Sequence, residues 1–474
     1  MRTLFLILLF LLPQLGSAQL QAGIGLQQDT LVLGFREYLG YVKMYHPIAK
    51  QANLTIDAAQ ANLMKARGGF DPKLEIDYDA KEFKGSEYYD LLNATFKIPT
   101  WYGIELKAGF EQNDGDFINP ERTVPDDGLF NAGISVSVGR DLFINDRMAT
   151  LRQAKIFQEQ TRADQQLLIN QLLYDASIAY FEWVKAYKQA LTYKQFLANA
   201  ELRYRAVSRA AELGAEAPID TVEAYIPVQN RTLSLEQAGI DLRKAELGVS
   251  NFLWLEELVP IELQENVMPV LELNGEIDLA LSIEERPLSE IPLDSHPKLR
   301  SMRFKVEQLE VDRKFKASRL LPVINLEYNF LTETPDIARS YQNANYKGGI
   351  EFAFPLFLRK ERGDLKLAKI KVQDANLDLL SEQFRLRNKI AAVYTALDSY
   401  VVQRGLIADI VVNYERMLRA EERKFGVGDS SLFLINSRET KLIDAQLKEI
   451  ELENKLYETK AKLFNTMALP GQNI

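Results

Sequence analysis

Two periods take turns along the chain. Across 73–80 apolar and polar residues alternate without a break: Leu74, Ile76, Tyr78 and Ala80 fall on one face, Lys73, Glu75, Asp77 and Asp79 on the other. The same period of two recurs over 93–98, 104–110 and 134–138, and later over 326–330 and 349–354. Successive side chains of a strand point to opposite faces, so these six runs predict strands with one apolar and one wet face.

Between the runs the period changes. Residues 148–213 hold neither proline nor glycine, and at about 1.5 Å per residue they predict a helix roughly 100 Å long. Residues 364–425 predict a second of nearly that length, broken only at Gly405. Apolar residues step by four and three along these segments: Ile169, Leu173, Ala176, Tyr180, Trp183, Tyr187 and Ala190. The returning segments continue it with Leu235, Ala238, Leu242, Ala245, Val249 and Phe252, then Ile443, Leu447, Ile450, Asn454, Tyr457, Ala461 and Phe464. A sustained 3.5-residue period is the pattern of helices packed side by side, knobs in holes. The Ala, Tyr and Asn mixed into it suit a wide assembly of helices better than a two-stranded zipper.

The order of elements repeats. The only two histidines, His46 and His296, are each followed by proline and lie 250 residues apart. Pro72 and Pro322 keep that offset and precede alternating runs. Residues 151–156 (Leu-Arg-Gln-Ala-Lys-Ile) parallel 365–370 (Leu-Lys-Leu-Ala-Lys-Ile) at an offset of 214, so the first copy carries a longer insert. An internal duplication is the economical reading. His-Pro before a helical stretch reads as a helix start, with Pro where its missing N–H costs nothing, rather than as a metal site.

The N-terminus predicts export. Arg2, an apolar run over 4–12 and Gly16-Ser17-Ala18 form a cleavable signal, with Gln19 as the new first residue. The run is too short to span a bilayer, and no later stretch offers eighteen uncharged apolar residues. Any crossing of a membrane must therefore use a closed barrel of strands. There is no cysteine, which removes disulfides, thiol chemistry and thiolate metal sites. The net charge of −9 argues against nucleic acid as a partner. No Gly-x-Ser-x-Gly, His-Glu-x-x-His or Cys/His pairing occurs, so the expectation is no enzyme and no catalytic, cofactor-binding or metal residue.

The hairpin turns carry the most specific residues. Leu213-Gly214-Ala215-Glu216-Ala217-Pro218-Ile219-Asp220 joins the first pair of long helices, and Phe425-Gly426-Val427-Gly428-Asp429-Ser430-Ser431-Leu432 the second. Gly214 and Gly428 supply the freedom of a tight reversal. Asp220 with Glu223, and Asp429 or Ser430, are expected to cap the returning helices.

With these turns at matching places in a repeated chain, the whole mature sequence resembles the TolC family of outer-membrane efflux and secretion ducts. The resemblance implies a mixed α and β membrane protein, internally duplicated, whose three copies form an outer-membrane β-barrel continuous with a long periplasmic α-helical barrel. It implies outer-membrane lipid, a periplasmic adaptor and an inner-membrane transporter as partners. The tips, with Gly214, Pro218, Asp220, Gly426, Gly428, Asp429, Leu434 and Ser437, would form the entrance that meets the adaptor. The implied division is a signal at 1–18, a first repeat at 19–258 (strands 73–140, helical hairpin 148–258), an equatorial linker at 259–293 and a second repeat at 294–474 (strands 323–357, helical hairpin 364–468). The linker is polar and carries Pro260, Pro269, Pro287 and Pro292.

Two features depart from the family. Leu434 and Ser437 stand where members often place acids lining a closed entrance, so that acidic constriction does not carry over. The first copy also holds four alternating runs where the family normally has two; either the barrel is wider than usual or the extra hairpin lies outside it. Residues 98–103 read as a turn at the membrane face, with Trp101 and Tyr102 as interfacial anchors. The competing reading is a periplasmic coiled-coil adaptor or structural protein, which has no need of six alternating runs.

Overall fold

A computed structural model describes residues 31–264, 266–283, 293–336, 339–340 and 342–469. The expected signal at 1–18 and linker residues Pro287 and Pro292 lie outside these. The chain opens with strand β1 (Leu31–Leu33) and helices α1 (Phe35–Tyr45) and α2 (Pro47–Arg67). Strands β2 (Lys73–Phe83), β3 (Ser86–Pro99), β4 (Ile104–Asp114) and β5 (Leu129–Ser137) precede the long helices α3 (Asp146–Glu212) and α4 (Pro218–Ser250). After β6 (Val267–Pro269) and α5 (Glu276–Ala280) the order runs α6 (Pro297–Ser318), β7 (Val323–Thr332), β8 (Tyr346–Ala353), α7 (Arg359–Gly426) and α8 (Leu432–Met467).

α3 has 67 residues and α7 has 68. Gly405, expected to break the second, does not: α7 runs through it, because one helical glycine costs only about 1 kcal/mol and a long packed face outweighs that. Each long helix turns back on its partner, α3 on α4 and α7 on α8, and α3 also lies against α2, α6 and α8. α2 and α6 both start on the expected His-Pro. His46 Nδ1 accepts the Ile48 N–H at 3.2 Å and His296 Nδ1 the Lys298 N–H at 3.1 Å, so the histidine rings themselves are the N-caps.

The largest core lies midway, where α1 seats Phe35, Tyr38, Leu39 and Val42 against Tyr180, Phe181 and Trp183 of α3 and Tyr457, Ala461 and Phe464 of α8. The linker is not merely polar, as its composition suggested. Leu263, Leu273, Ile277 and Leu281 are buried in this same core, and β6 pairs in parallel with β1. A short helix and strand turn these four side chains inward, while Val259 and Leu279 stay exposed.

All six predicted runs form one antiparallel sheet in the order β2-β3-β4-β5-β7-β8. This decides the place of the extra hairpin: within the chain it is part of the sheet, hydrogen-bonded on both sides.

Candidate functional site

The register shows what the alternation achieves. Leu74 pairs with Phe96, Phe96 with Ala108, Ala108 with Ala132, Ala132 with Phe330 and Phe330 with Tyr346, so one apolar row crosses the whole sheet. The next row joins Ile104, Val136, Leu326 and Ile350. Apart from Phe330, which is buried at 4%, these side chains are exposed or half-buried: Leu74 is 66% exposed, Ile350 77% and Phe352 beside it 66%. An apolar face of this extent in water would be an aggregation surface; against lipid it needs no cover. The opposite face is mainly polar, with Leu91, Leu129, Leu331 and Val323 among the apolar positions on it. There Lys97 pairs with Glu75, Lys107 with Glu327 at 3.0 Å and Lys347 with Glu111 at 3.6 Å, and Asn325 donates to Glu351 at 2.8 Å. Cross-strand pairs of opposite charge fit a surface that water wets. Among the described residues no helix is long and apolar enough to cross a membrane.

At the far ends of the helices the two tips share one backbone solution. Gly214 (φ 75°) and Gly428 (φ 79°) take the left-handed conformation. Ala215 N–H bonds Ala210 O and Gly214 N–H bonds Ala211 O; Asp429 N–H bonds Lys424 O and Gly428 N–H bonds Phe425 O. This six-to-one plus five-to-two pairing satisfies the last carbonyls of α3 and α7, and only glycine adopts it without strain. Pro218 then opens α4 at its first turn.

The caps differ from those expected. Asp220 sits at the third helical position and its carboxylate accepts the Ala217 N–H at 3.1 Å, reaching back rather than pairing forward with Glu223. At the second tip the cap is Ser431, whose Oγ accepts the Leu434 N–H at 3.3 Å, one residue beyond Asp429 and Ser430. Ser430 instead donates to Glu421 at 2.6 Å. Pro218, Gly426 and Asp429 are exposed, Leu434 is 38% exposed and Ser437 half-buried. Val207, Ala224 and Leu432 are buried together, bringing the two tips side by side.

Residues 288–468 match the protein family described as outer membrane efflux protein. That match covers 181 of the chain's 474 residues, all in its second half. No curated protein matches the chain by sequence. Solved structures share its fold at low identity. The CmeC outer membrane channel of Campylobacter jejuni is 14% identical, with a TM-score of 0.63 over 92% of this chain and 85% of that one. The open state of the MtrE outer membrane channel of Neisseria gonorrhoeae is 14% identical, with a TM-score of 0.65 over 97% and 98%. The outer membrane protein VceC of Vibrio cholerae is 13% identical, with a TM-score of 0.64 over 92% and 97%.

Two arrangements escaped the sequence reading. Trp101 lies in the β3–β4 turn at the helical end of the sheet. Its ring stacks on Phe70 with centroids 5.5 Å apart, Arg152 sits over it at 5.6 Å, and Leu151 and Met148 lie in the adjoining clusters. Tyr102 beside it is 65% exposed.

The second arrangement is a buried charge cluster about three turns above the tips. Glu439 of α8 receives Arg203 of α3 through two bonds, 3.0 and 3.1 Å, and also Arg231 of α4. Arg203 also donates to Asn436 at 3.1 Å and Arg231 to Phe196 O at 3.3 Å. Burial pulls the Arg231 guanidinium below its ordinary pKa, while Glu439 beside it opposes that. One carboxylate thus fastens three of the four long helices. Its partners lie more than 200 residues away in sequence, so no local motif announces it.

Proposed function

We propose that three copies of this chain form the outer-membrane exit duct of a tripartite efflux pump or a type I secretion system. It is a passive conduit for substrates that an inner-membrane transporter delivers through a periplasmic adaptor. The observation that carries this reading is the six-stranded sheet, apolar and exposed on one face and ion-paired on the other, set on two hairpins of very long helices. A soluble coiled-coil adaptor has no use for that apolar face.

In this reading the sheets line a wet pore with lipid outside, and the helices extend the pore toward the tips. Gly214, Pro218, Asp220, Gly426, Gly428, Asp429, Leu434 and Ser437 form the entrance and the adaptor contact. Trp101 and Tyr102 anchor the sheet at the headgroups, the Trp101 ring also packing on Phe70. The chain divides into a signal (1–18), two repeats (19–258 and 294–474) and an equatorial linker (259–293). The matching ring caps of His46 and His296 and the matching tip geometries support a common origin of the two repeats.

Purified protein in mild detergent is expected to run as a trimer and to conduct ions in planar bilayers. In cells, photo-crosslinkers at Gly426 or Pro218 should capture an adaptor. A monomer without conductance would sink the reading.

A further inference from the structure

Four helices and six strands meet at one level of the molecule, and their widths agree. α2, α3, α6 and α7 lie side by side in that order and continue into β2, β5, β7 and β8. Helices packed side by side sit about 9 Å apart, so four of them span roughly 36 Å. Strands lie about 4.8 Å apart, and at the tilt of about 40° that a closed barrel needs each occupies about 6.3 Å of circumference. Six strands therefore span roughly 38 Å and four only roughly 25 Å. Only with β3 and β4 counted does the sheet cover the same arc as the helices below it.

The hairpin that supplies those two strands is tied in at its base. Trp101 packs on Phe70, and Glu105 meets Arg147 of α3 at 3.5 Å. The sheet ends in two edges, β2 and β8, exposed along their whole length, and among the described residues each pairs with one strand only. Six alternating strands leave these edges antiparallel, so β8 of one copy can receive β2 of the next without breaking the alternation. Their faces agree as well: Leu74 and Ile76 lie on the apolar face with Ile350 and Phe352, Glu75 on the polar face with Glu351. In lipid an open edge is not tolerated.

We infer, resting on the threefold assembly proposed above, that β8 of each copy pairs with β2 of the next and closes an eighteen-stranded barrel. The β3–β4 hairpin is wall, not appendage. Two strands per repeat would give twelve, and diameter grows roughly in proportion to strand number, so this barrel is about 1.5 times as wide. Barrels of that size leave an aqueous channel. The membrane end therefore stays open, and closure falls to the helical tips.

The chain contains no cysteine, which permits a direct test on the full-length protein. Glu351→Cys is combined in turn with Glu75→Cys, Asp77→Cys or Asp79→Cys on β2, and separately with Glu105→Cys or Lys107→Cys on β4. Native mass spectrometry first checks each variant for the trimer; mild oxidation and a denaturing gel follow. At least one β8–β2 pair is expected to give a ladder ending in covalent trimer that collapses on reduction, with the β8–β4 pairs remaining monomeric. A trimer that cross-links through β4, or through neither strand, overturns the eighteen-stranded wall and leaves the exit-duct reading standing. Absence of a trimer in the wild type overturns both.

Discussion

Glu439 offers the sharpest energetic test of how the helices are held. Its side chain is 1% exposed, and those of its partners Arg203 and Arg231 are 15% and 8% exposed. Glu439→Gln keeps the volume but leaves two guanidinium groups facing an amide in a dry interface. Breaking a buried pair by removing one partner costs about 3–5 kcal/mol, because an uncompensated charge remains. At roughly 2.1 cal/mol/K of unfolding entropy per residue, a 474-residue chain converts that into a fall of about 3–5 °C in Tm. The contrast is Glu451, which Lys448 and Lys455 hold down to a pKa of about 2 by hydrogen bonds. It lies at the surface, where such pairs are worth under about 1 kcal/mol, so Glu451→Gln should shift Tm by less than about 1 °C. Replacing all three buried groups (Arg203→Met, Arg231→Met, Glu439→Leu) should be near neutral or stabilising, since the desolvation cost disappears with the charges. Circular dichroism melts of the detergent-solubilised protein measure all three. If Glu439→Gln melts with the wild type, or no lower than Glu451→Gln, the cluster does not hold the helices together.

Other expectations follow from the same contacts. Leu173→Asp, in the central core at 1% exposure, should cost several kcal/mol and lower the yield of assembled protein. Lys155→Asp on an exposed position should leave that yield unchanged on a native gel. Gly214→Ala or Gly428→Ala should each lower stability by about 1–2 kcal/mol, read as urea midpoint, because alanine is strained at positive φ. Asp220→Asn should keep the reach-back bond to Ala217 and Asp220→Ala should lose it; larger conductance in Asp220→Asn at unchanged yield would assign the charge a part in closing the entrance. Burial holds His296 and His46 below their ordinary pKa, with the Thr466 and Asn251 backbones pulling the other way. The unfolded chain then takes up protons first, so stability is full above about pH 6.5 and falls below it by up to about 1.4 kcal/mol per pH unit for each histidine. The double variant His46→Asn/His296→Asn should flatten that slope in melts between pH 7 and 5, and an unaltered slope would refute the assignment.

What the sequence determined by itself are the features that short-range physics dictates. Alternation over 73–80 and five other runs was enough for strands and for which side of them is apolar, because the pleat has a period of two whatever the partner strand is. The tips were legible because Gly214, Gly428 and Pro218 act on their own backbone, and the long helices because nothing between 148 and 213 interrupts them. The tertiary structure decided whatever depends on partners far along the chain. It placed β3 and β4 inside the sheet, since pairing is a contact between strands that alternation alone does not specify. It turned the linker's Leu273 and Ile277 inward. It moved the second cap to Ser431, which depends on where α8 begins. It brought Arg203 and Arg231 to Glu439 across more than 200 residues, where their burial, not their charge, sets what they contribute.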